Sequence, residues 1–370
     1  MALIFAGIDE AGYGPMLGPL CIGMSVFRVE AWAEGSDAPD LWELLSSGVC
    51  RRPSDKFGRV AIDDSKKLKG PSDRVSRHPL ADLERGVLAC LALLAGSHPA
   101  PVPSCDEAFF GAIGASCEPH DWYSLPAASL PLSGSADHVR IAANLLAGAM
   151  NQTGTRMLAL RCRAIGEAGF NRIVERTGTK SAATGAGVTR HLRTLWNEFS
   201  CIAEAGANGA RVVCDAQGGR TDYAEYLRRA IPGARVEELH RSAACSRYLI
   251  RGDEPCPISD LPLGGEHAAD GASEPGEHGD ASSEGRAGSQ RAMVVSFMPE
   301  ADATHLPVAL ASMVAKYTRE LMMGRLNRYW TARLPDLKPT AGYALDARRW
   351  LAEVGTRATS AERATLVRRA

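Results

Sequence analysis

The sequence predicts an α/β fold built on a central mixed β-sheet flanked by helices. Short apolar runs of strand length recur at residues 3–9, 20–28, 210–215 and 292–298. Patterns with helical spacing separate them, at about 80–95, 138–150, 187–206 and 306–331. The runs at 3–9 and 210–215 both end on acids, at the place where open α/β sheets gather ligands.

Residues 3–9 are short and apolar and read as a buried strand; 20–28 reads as a second strand that can pair with it, and 59–62 as a third. Apolar residues at helical spacing give a helix from Leu80 to Ala95. Residues 97–135, rich in Pro, Ser and Gly, read as irregular. A helix follows at 138–150, strand and helix elements at 155–176, and a helix near 187–206. Ala210-Arg211-Val212-Val213-Cys214-Asp215 is an apolar strand closed by an acid. Residues 221–230 look helical with Thr221 as N-cap, and 234–238 and 245–250 read as short strands. Residues 253–290 are dominated by Gly, Ala, Ser, Asp and Glu, and are expected to be a disordered insertion. A strand at 292–298 precedes a long helix at 306–331, with Pro307 in its first turn and Thr304 as a candidate cap. A last helix covers 345–354, and 356–370 is expected as a C-terminal tail.

With 370 residues the chain can bury a large core, and its composition is that of a soluble globular protein. Its ten cysteines are scattered, form no CxxC, and several sit in apolar runs, so they read as reduced packing residues of a cytoplasmic protein and argue against a zinc site. The N-terminus has no basic leader region and places Asp9-Glu10 where a signal peptide would be apolar. No apolar run reaches membrane-spanning length, so no membrane partner is expected. Segment 253–290 carries nine acids and one base; against a net charge of −1, this leaves about +7 on the rest of the chain, which suits a polyanionic partner.

Asp9 and Glu10 are adjacent carboxylates at the end of a buried strand, where repulsion and desolvation oppose both unless a cation sits beside them. Ala11-Gly12-Tyr13-Gly14-Pro15 follows at once, a glycine-rich turn that permits close approach of another backbone. Asp215 ends its strand, and Asp302 lies between the strand 292–298 and the long helix. Oxygen-only ligands with no His or Cys partner point to Mg²⁺ or Mn²⁺. Two such ions about 4 Å apart can promote phosphodiester hydrolysis.

Gly7-Ile8-Asp9-Glu10-Ala11-Gly12-Tyr13-Gly14-Pro15, with Gly18-Pro19 after it, resembles the opening motif of the type 2 ribonucleases H. Asp63-Asp64-Ser65-Lys66-Lys67-Leu68 resembles their second motif, and the helix Ala311-Ser312-Met313-Val314-Ala315-Lys316-Tyr317-Thr318-Arg319-Glu320 a later one. Gly342-Tyr343 is similar to a late segment whose tyrosine stacks near the scissile region. The resemblance runs in order from residue 3 to about 355. It implies a ribonuclease H-like fold and cleavage of the RNA strand of RNA–DNA hybrids, leaving 5′-phosphate and 3′-hydroxyl ends. Asp9, Glu10, Asp215 and Asp302 would be the catalytic residues and would hold two Mg²⁺ or Mn²⁺ ions. Gly12, Tyr13, Gly14, Lys66, Lys67, Lys316, Arg319 and Tyr343 would bind substrate; Lys316 and Arg319 could instead pair with core-edge acids. Ser312 reads as helix packing and His305 as an exposed residue at a helix start.

The family's Gly-Arg-Gly is Gly12-Tyr13-Gly14 here, which removes a charge-assisted phosphate fork and supplies a stacking ring instead. Ala309-Leu310 stands for a usual Ser-Ala, Ala344 for a glycine, and no lysine precedes Gly342. Residues 151–208 have no evident counterpart in a compact ribonuclease HII and are expected as a folded insertion into a catalytic domain spanning 1–355. Gly178-Thr179-Lys180-Ser181 lacks the glycine spacing and preceding strand of a phosphate loop. The alternative function is a non-catalytic or altered-specificity nucleic-acid binder of the same fold. The sequence names no protein partner.

Overall fold

The computed structural model describes residues 2–369 except 31, 34–35, 54, 56, 71–76, 97, 202–208 and 253–289. The expected acidic insertion therefore lies outside the described residues, Gln290 apart. Nine strands are described: β1 (Leu3–Ala11), β2 (Leu20–Val29), β3 (Val49–Cys50), β4 (Val60–Ala61), β5 (Thr155–Ile165), β6 (Ala210–Asp215), β7 (Arg235–Arg241), β8 (Ser246–Gly252) and β9 (Arg291–Met298). Seven form one mixed sheet in the order β5-β2-β1-β6-β9-β8-β7. β1 pairs antiparallel with β2 and parallel with β6, and β6 pairs parallel with β9. Helices cover both faces, so the expected α/β class with a central mixed sheet is the one observed.

Alternation along β1 sets the two faces. Leu3 and Phe5 point into a core shared with the helices Ala81–Ala92, Ala136–Thr153 and Leu306–Arg333. Ile4, Ala6 and Ile8 point into a second core under Ser181–Phe199 and Ala224–Ala230. Burial on both faces explains why β1 and β2 read as continuous apolar runs rather than as alternating ones. A third cluster joins Leu17, Trp330, Trp350 and Leu366; the two indoles meet edge to face at 5.6 Å, worth about 1 kcal/mol beyond their burial.

Leu306–Arg333 is buried along most of its length and crosses β1 and β2. Glycines make this crossing close. A Cβ on Gly7 would overlap the Pro307 carbonyl and Val308 amide, and one on Gly23 would overlap the Ala311 carbonyl. Ser25 Oγ donates to the Pro307 carbonyl at 2.7 Å and seals the crossing.

Several expectations are corrected. Within the segment expected as a folded insertion, β5 pairs with β2 from Thr155 to Ile165 and forms the sheet edge, and Ser181–Phe199 packs on β1 and β2; residues 202–208 lie outside the described ones. The 59–62 strand belongs to a separate two-stranded sheet, β3-β4. Within 97–135, Asp106–Ala112 is helical, held by a buried bidentate pair between Asp106 and Arg325 at 2.7 and 2.8 Å. Thr221 does not cap the next helix, which starts only after Tyr223 because that ring stacks on Phe297 at 3.7 Å. His305, half-buried, occupies the N-cap position of the long helix, while the Thr304 hydroxyl turns back to the Ala301 carbonyl. Within the expected C-terminal tail, helix Ser360–Leu366 begins with a capping box between Thr359 and Glu362, and Val367 bridges to Leu17.

Candidate metal centre

Parallel pairing of β1 with β6 puts Ile8 opposite Cys214, so Asp9 and Asp215, one residue further on, lie side by side near the ends of the two strands. β9 pairs with β6 up to Met298 opposite Asp215. The chain then turns through Glu300, whose φ of 53° makes it the one described non-glycine residue in the left-handed region. That turn begins the short helix Ala301–Thr304 and carries Asp302 back toward the strand ends; the Ala301 amide donates to Asp215 Oδ1 at 3.2 Å.

One oxygen from each of Asp9, Glu10 and Asp215 lies within 4.8 Å of the other two. Asp9 is 7% exposed, while Glu10, Asp215 and Asp302 are half-buried. Burial raises the Asp9 carboxyl well above the usual carboxylate range, and repulsion from Glu10 and Asp215 adds to this. Burial and the Asp215 charge push Glu10 up to about 7. Burial also raises Asp215 and Asp302, with Asp302 acting on Asp215 and Asp64 acting on Asp302. Asp302 thus belongs to the same electrostatic group, although its oxygens are outside the tight trio. The exposed Lys66 ammonium lowers Glu10, Asp215 and Asp302 without offsetting their burial.

An all-oxygen donor set with excess negative charge, at the open end of a sheet, fits a hard divalent cation such as Mg²⁺ or Mn²⁺. Asp9 has two internal supports. Its Oδ1 accepts from the Glu10 amide at 2.7 Å, and the nearby Ser312 hydroxyl lowers the carboxyl against its burial. Ser312 also lies 3.1 Å from the Ser65 hydroxyl. Ser312, read from the sequence as packing, is buried against Ser65 and also stands near enough to Asp9 to act on its carboxyl.

The Gly12–Pro19 loop borders the acids. Gly12 has φ of 93°, and a Cβ there would stand 2.6 Å from Arg319 Nε and 2.8 Å from the Pro19 carbonyl. Tyr13 is 43% exposed and faces outward beside Gly14. The Gly342 carbonyl accepts from the Met16 amide at 2.8 Å, which brings the 49% exposed Tyr343 next to this loop.

Two residues expected either at the substrate or paired with core-edge acids are buried. Lys316 is buried and paired with Glu320 at 2.9 Å, a carboxylate that Lys69 also meets at 2.8 Å. Arg319 is fully buried behind the loop, donating to the Leu17 and Ala341 carbonyls. The helix that carries both is enclosed on nearly all sides, so their shared face points into the protein. Lys67 is exposed and pairs with Asp63 at 3.4 Å.

No family model and no curated protein matches the sequence. In structure the chain is similar to ribonucleases HII and HIII. The PCNA:RNase HII complex from Archaeoglobus fulgidus matches at 12% identity and a TM-score of 0.41, over 99% of this chain and 94% of that one. Ribonuclease H2 from Pyrococcus horikoshii matches at 14% and 0.37, over 95% and 86%. Bst-RNase HIII in complex with Mn²⁺ matches at 15% and 0.37, over 99% and 66%. The nine described cysteines are free, and no described helix is long and apolar enough to cross a membrane.

Proposed function

We propose that this chain is a divergent type 2 ribonuclease H, a metal-dependent endoribonuclease that cuts the RNA strand of RNA–DNA hybrids and leaves 5′-phosphate and 3′-hydroxyl ends. The observation that carries this reading is the convergence of Asp9, Glu10 and Asp215 within 4.8 Å, with Asp302 beside them, next to a glycine loop. Two Mg²⁺ or Mn²⁺ ions held by these four acids would supply water activation and charge neutralisation at the leaving 3′-oxygen. Ser312 and the Glu10 amide orient Asp9 for that task. Lys66 stands where a phosphate near the acids would meet a cation. The Gly12 and Gly14 backbone approaches the ribose, and the exposed Tyr343 ring offers a stacking surface. Selection of RNA requires a contact to the 2′-hydroxyl, the group DNA lacks.

A second reading, altered specificity within the same fold, is favoured by Tyr13. An exposed ring in place of an arginine removes a bidentate phosphate contact while both flanking glycines remain. One experiment addresses both readings. With Mn²⁺, the protein is given a continuous RNA–DNA hybrid and a DNA duplex holding one ribonucleotide. Cutting the hybrid supports the proposed activity, and cutting only the hybrid assigns the consequence of Tyr13. Failure to cut either with any divalent metal overturns the enzymatic reading and leaves a binding protein.

A further inference from the structure

A cavity of about 700 Å³ opens between the end of β5 and the helices Glu167–Thr177 and Ser181–Phe199. Four arginines line it: Arg163, Arg172, Arg176 and Arg190. Its two glutamates are engaged, Glu118 with Arg172 and Glu175 with Arg369. Arg163, Arg176 and Arg190 are exposed and have no acidic partner among the described residues. Three unneutralised guanidinium groups around one cavity repel one another and attract an anion.

The fold places this cavity relative to the acids. Glu10 pairs with Ile22 across β1 and β2, and Ile22 pairs with Arg163 across β2 and β5. Residues directly opposite one another in antiparallel strands project to one face of the sheet. Arg163 is therefore in the same cross-strand row as Glu10, two strand spacings or about 10 Å away. Gly187 lets the second helix lie directly on Ile22, since a Cβ there would overlap that side chain; this brings Arg190, one turn later, over the same row.

We propose that Arg163, Arg176 and Arg190 form a binding site for the phosphodiester backbone of the substrate, holding the strand where it leaves the carboxylate centre. The inference rests on the nuclease reading above and adds a binding surface to it. Residues 155–199 are then not only a structural part of the sheet and its cover: their outer edge extends the nucleic-acid track. Arginine suits the role because its planar fork meets phosphate oxygens pairwise, and such bonds fix register without reading sequence.

The test measures binding of a fluorescein-labelled RNA–DNA hybrid in EDTA by anisotropy across a salt series. It uses the wild-type protein, R163Q/R176Q/R190Q and R163K/R176K/R190K. Removing one cation from the phosphate backbone lowers the slope of log affinity against log salt by about 0.7–0.9, so the glutamine variant is expected to reduce the slope by roughly 2–3. The lysine variant recovers most of it. With Mn²⁺ the glutamine variant raises KM for a long hybrid and leaves kcat unchanged, at an unaltered melting temperature. A wild-type protein that binds and cuts the hybrid, beside a glutamine variant with the same slope and KM, overturns this inference alone. Stabilisation of the wild type but not the glutamine variant by inorganic phosphate, with the hybrid slope unchanged, means a small-anion site and also overturns it. A wild type that neither binds nor cuts the hybrid overturns the functional reading and this inference together.

Discussion

Gly7 lies against the backbone of Pro307. A methyl group on Gly7 would occupy the space of the Pro307 carbonyl, so the long helix rests directly on β1. That packing sets the height at which the helix passes over the sheet, and five residues further on the helix presents Ser312 to Asp9.

Gly7→Ala is accordingly expected to destabilise the fold by about 1–3 kcal/mol through overpacking against backbone that cannot rotate away. Urea denaturation reads the loss. Nuclease activity should fall further than stability alone explains, because lifting the helix withdraws Ser312. An unchanged unfolding midpoint would show that the helix can shift freely.

Ser312→Ala tests the influence of that hydroxyl on Asp9. Removing a group that orients a metal-binding carboxylate costs roughly 10–100-fold in metal affinity or activity. Mn²⁺ titration of activity should move to higher concentration with the fold intact. Asp9→Asn and Asp215→Asn are expected to reduce cleavage to background while hybrid binding persists, and retained cleavage in either would reject the assignment.

The raised acids predict a stability profile for the metal-free protein. Glu10 titrates at about 7 in the folded state and near 4.3 when unfolded. Between those values the folded state binds more protons than the unfolded one, so stability falls as pH rises from about 4 to 7 and stays low above. Asp9 and Asp215, shifted in the same direction, add to the slope. Thermal melts in EDTA across this range should show the decline. Glu10→Gln should flatten it and raise the melting temperature near pH 8, and Mn²⁺ should raise stability most at high pH, where the carboxylates are ionised.

The C-terminal segment clamps the Gly12–Pro19 loop. The Arg368 amide donates to the Met16 carbonyl at 2.8 Å, its guanidinium meets the Pro15 carbonyl, and the Val367 carbonyl accepts from Asn171 at 2.9 Å. Deleting residues 359–370 should loosen Pro15–Leu17 and expose the cluster around Trp330. Limited proteolysis would then cut near the loop, and KM for the hybrid would rise. Arg368→Met, which spares the backbone bonds, should give a smaller effect in the same direction. Unchanged proteolysis would show that the loop holds its shape unaided.

Much of the fold was legible because it is local. Apolar runs in β1, β2, β6 and β9 and the Pro307 start of the long helix announce themselves within a few residues. The helix Asp106–Ala112 was not legible, since its anchor is Arg325, more than two hundred residues away. Thr221 and Thr304 were read as caps on chemistry that fits many turns, and the packing of Tyr223 and the turn at Glu300 decided otherwise.

By itself the sequence determined the approximate course of the main strands, that Asp9, Glu10, Asp215 and Asp302 lie near their ends, and that Gly12 and Gly14 follow the first pair. β1 runs two residues past the expected end at Asp9, to Ala11, because Glu10 and Ala11 still pair with Ile22 and Cys21 of β2. Only the tertiary structure decided which acids share one site, because that depends on the parallel register of β1 with β6. It also turned Lys316 and Arg319 inward, since a helix enclosed on nearly every side must satisfy its charges internally, and it seated β5 at the sheet edge, facing Arg163 outward. The approximate course of a strand is written in a few adjacent residues, whereas register and burial are settled by packing between segments hundreds of residues apart.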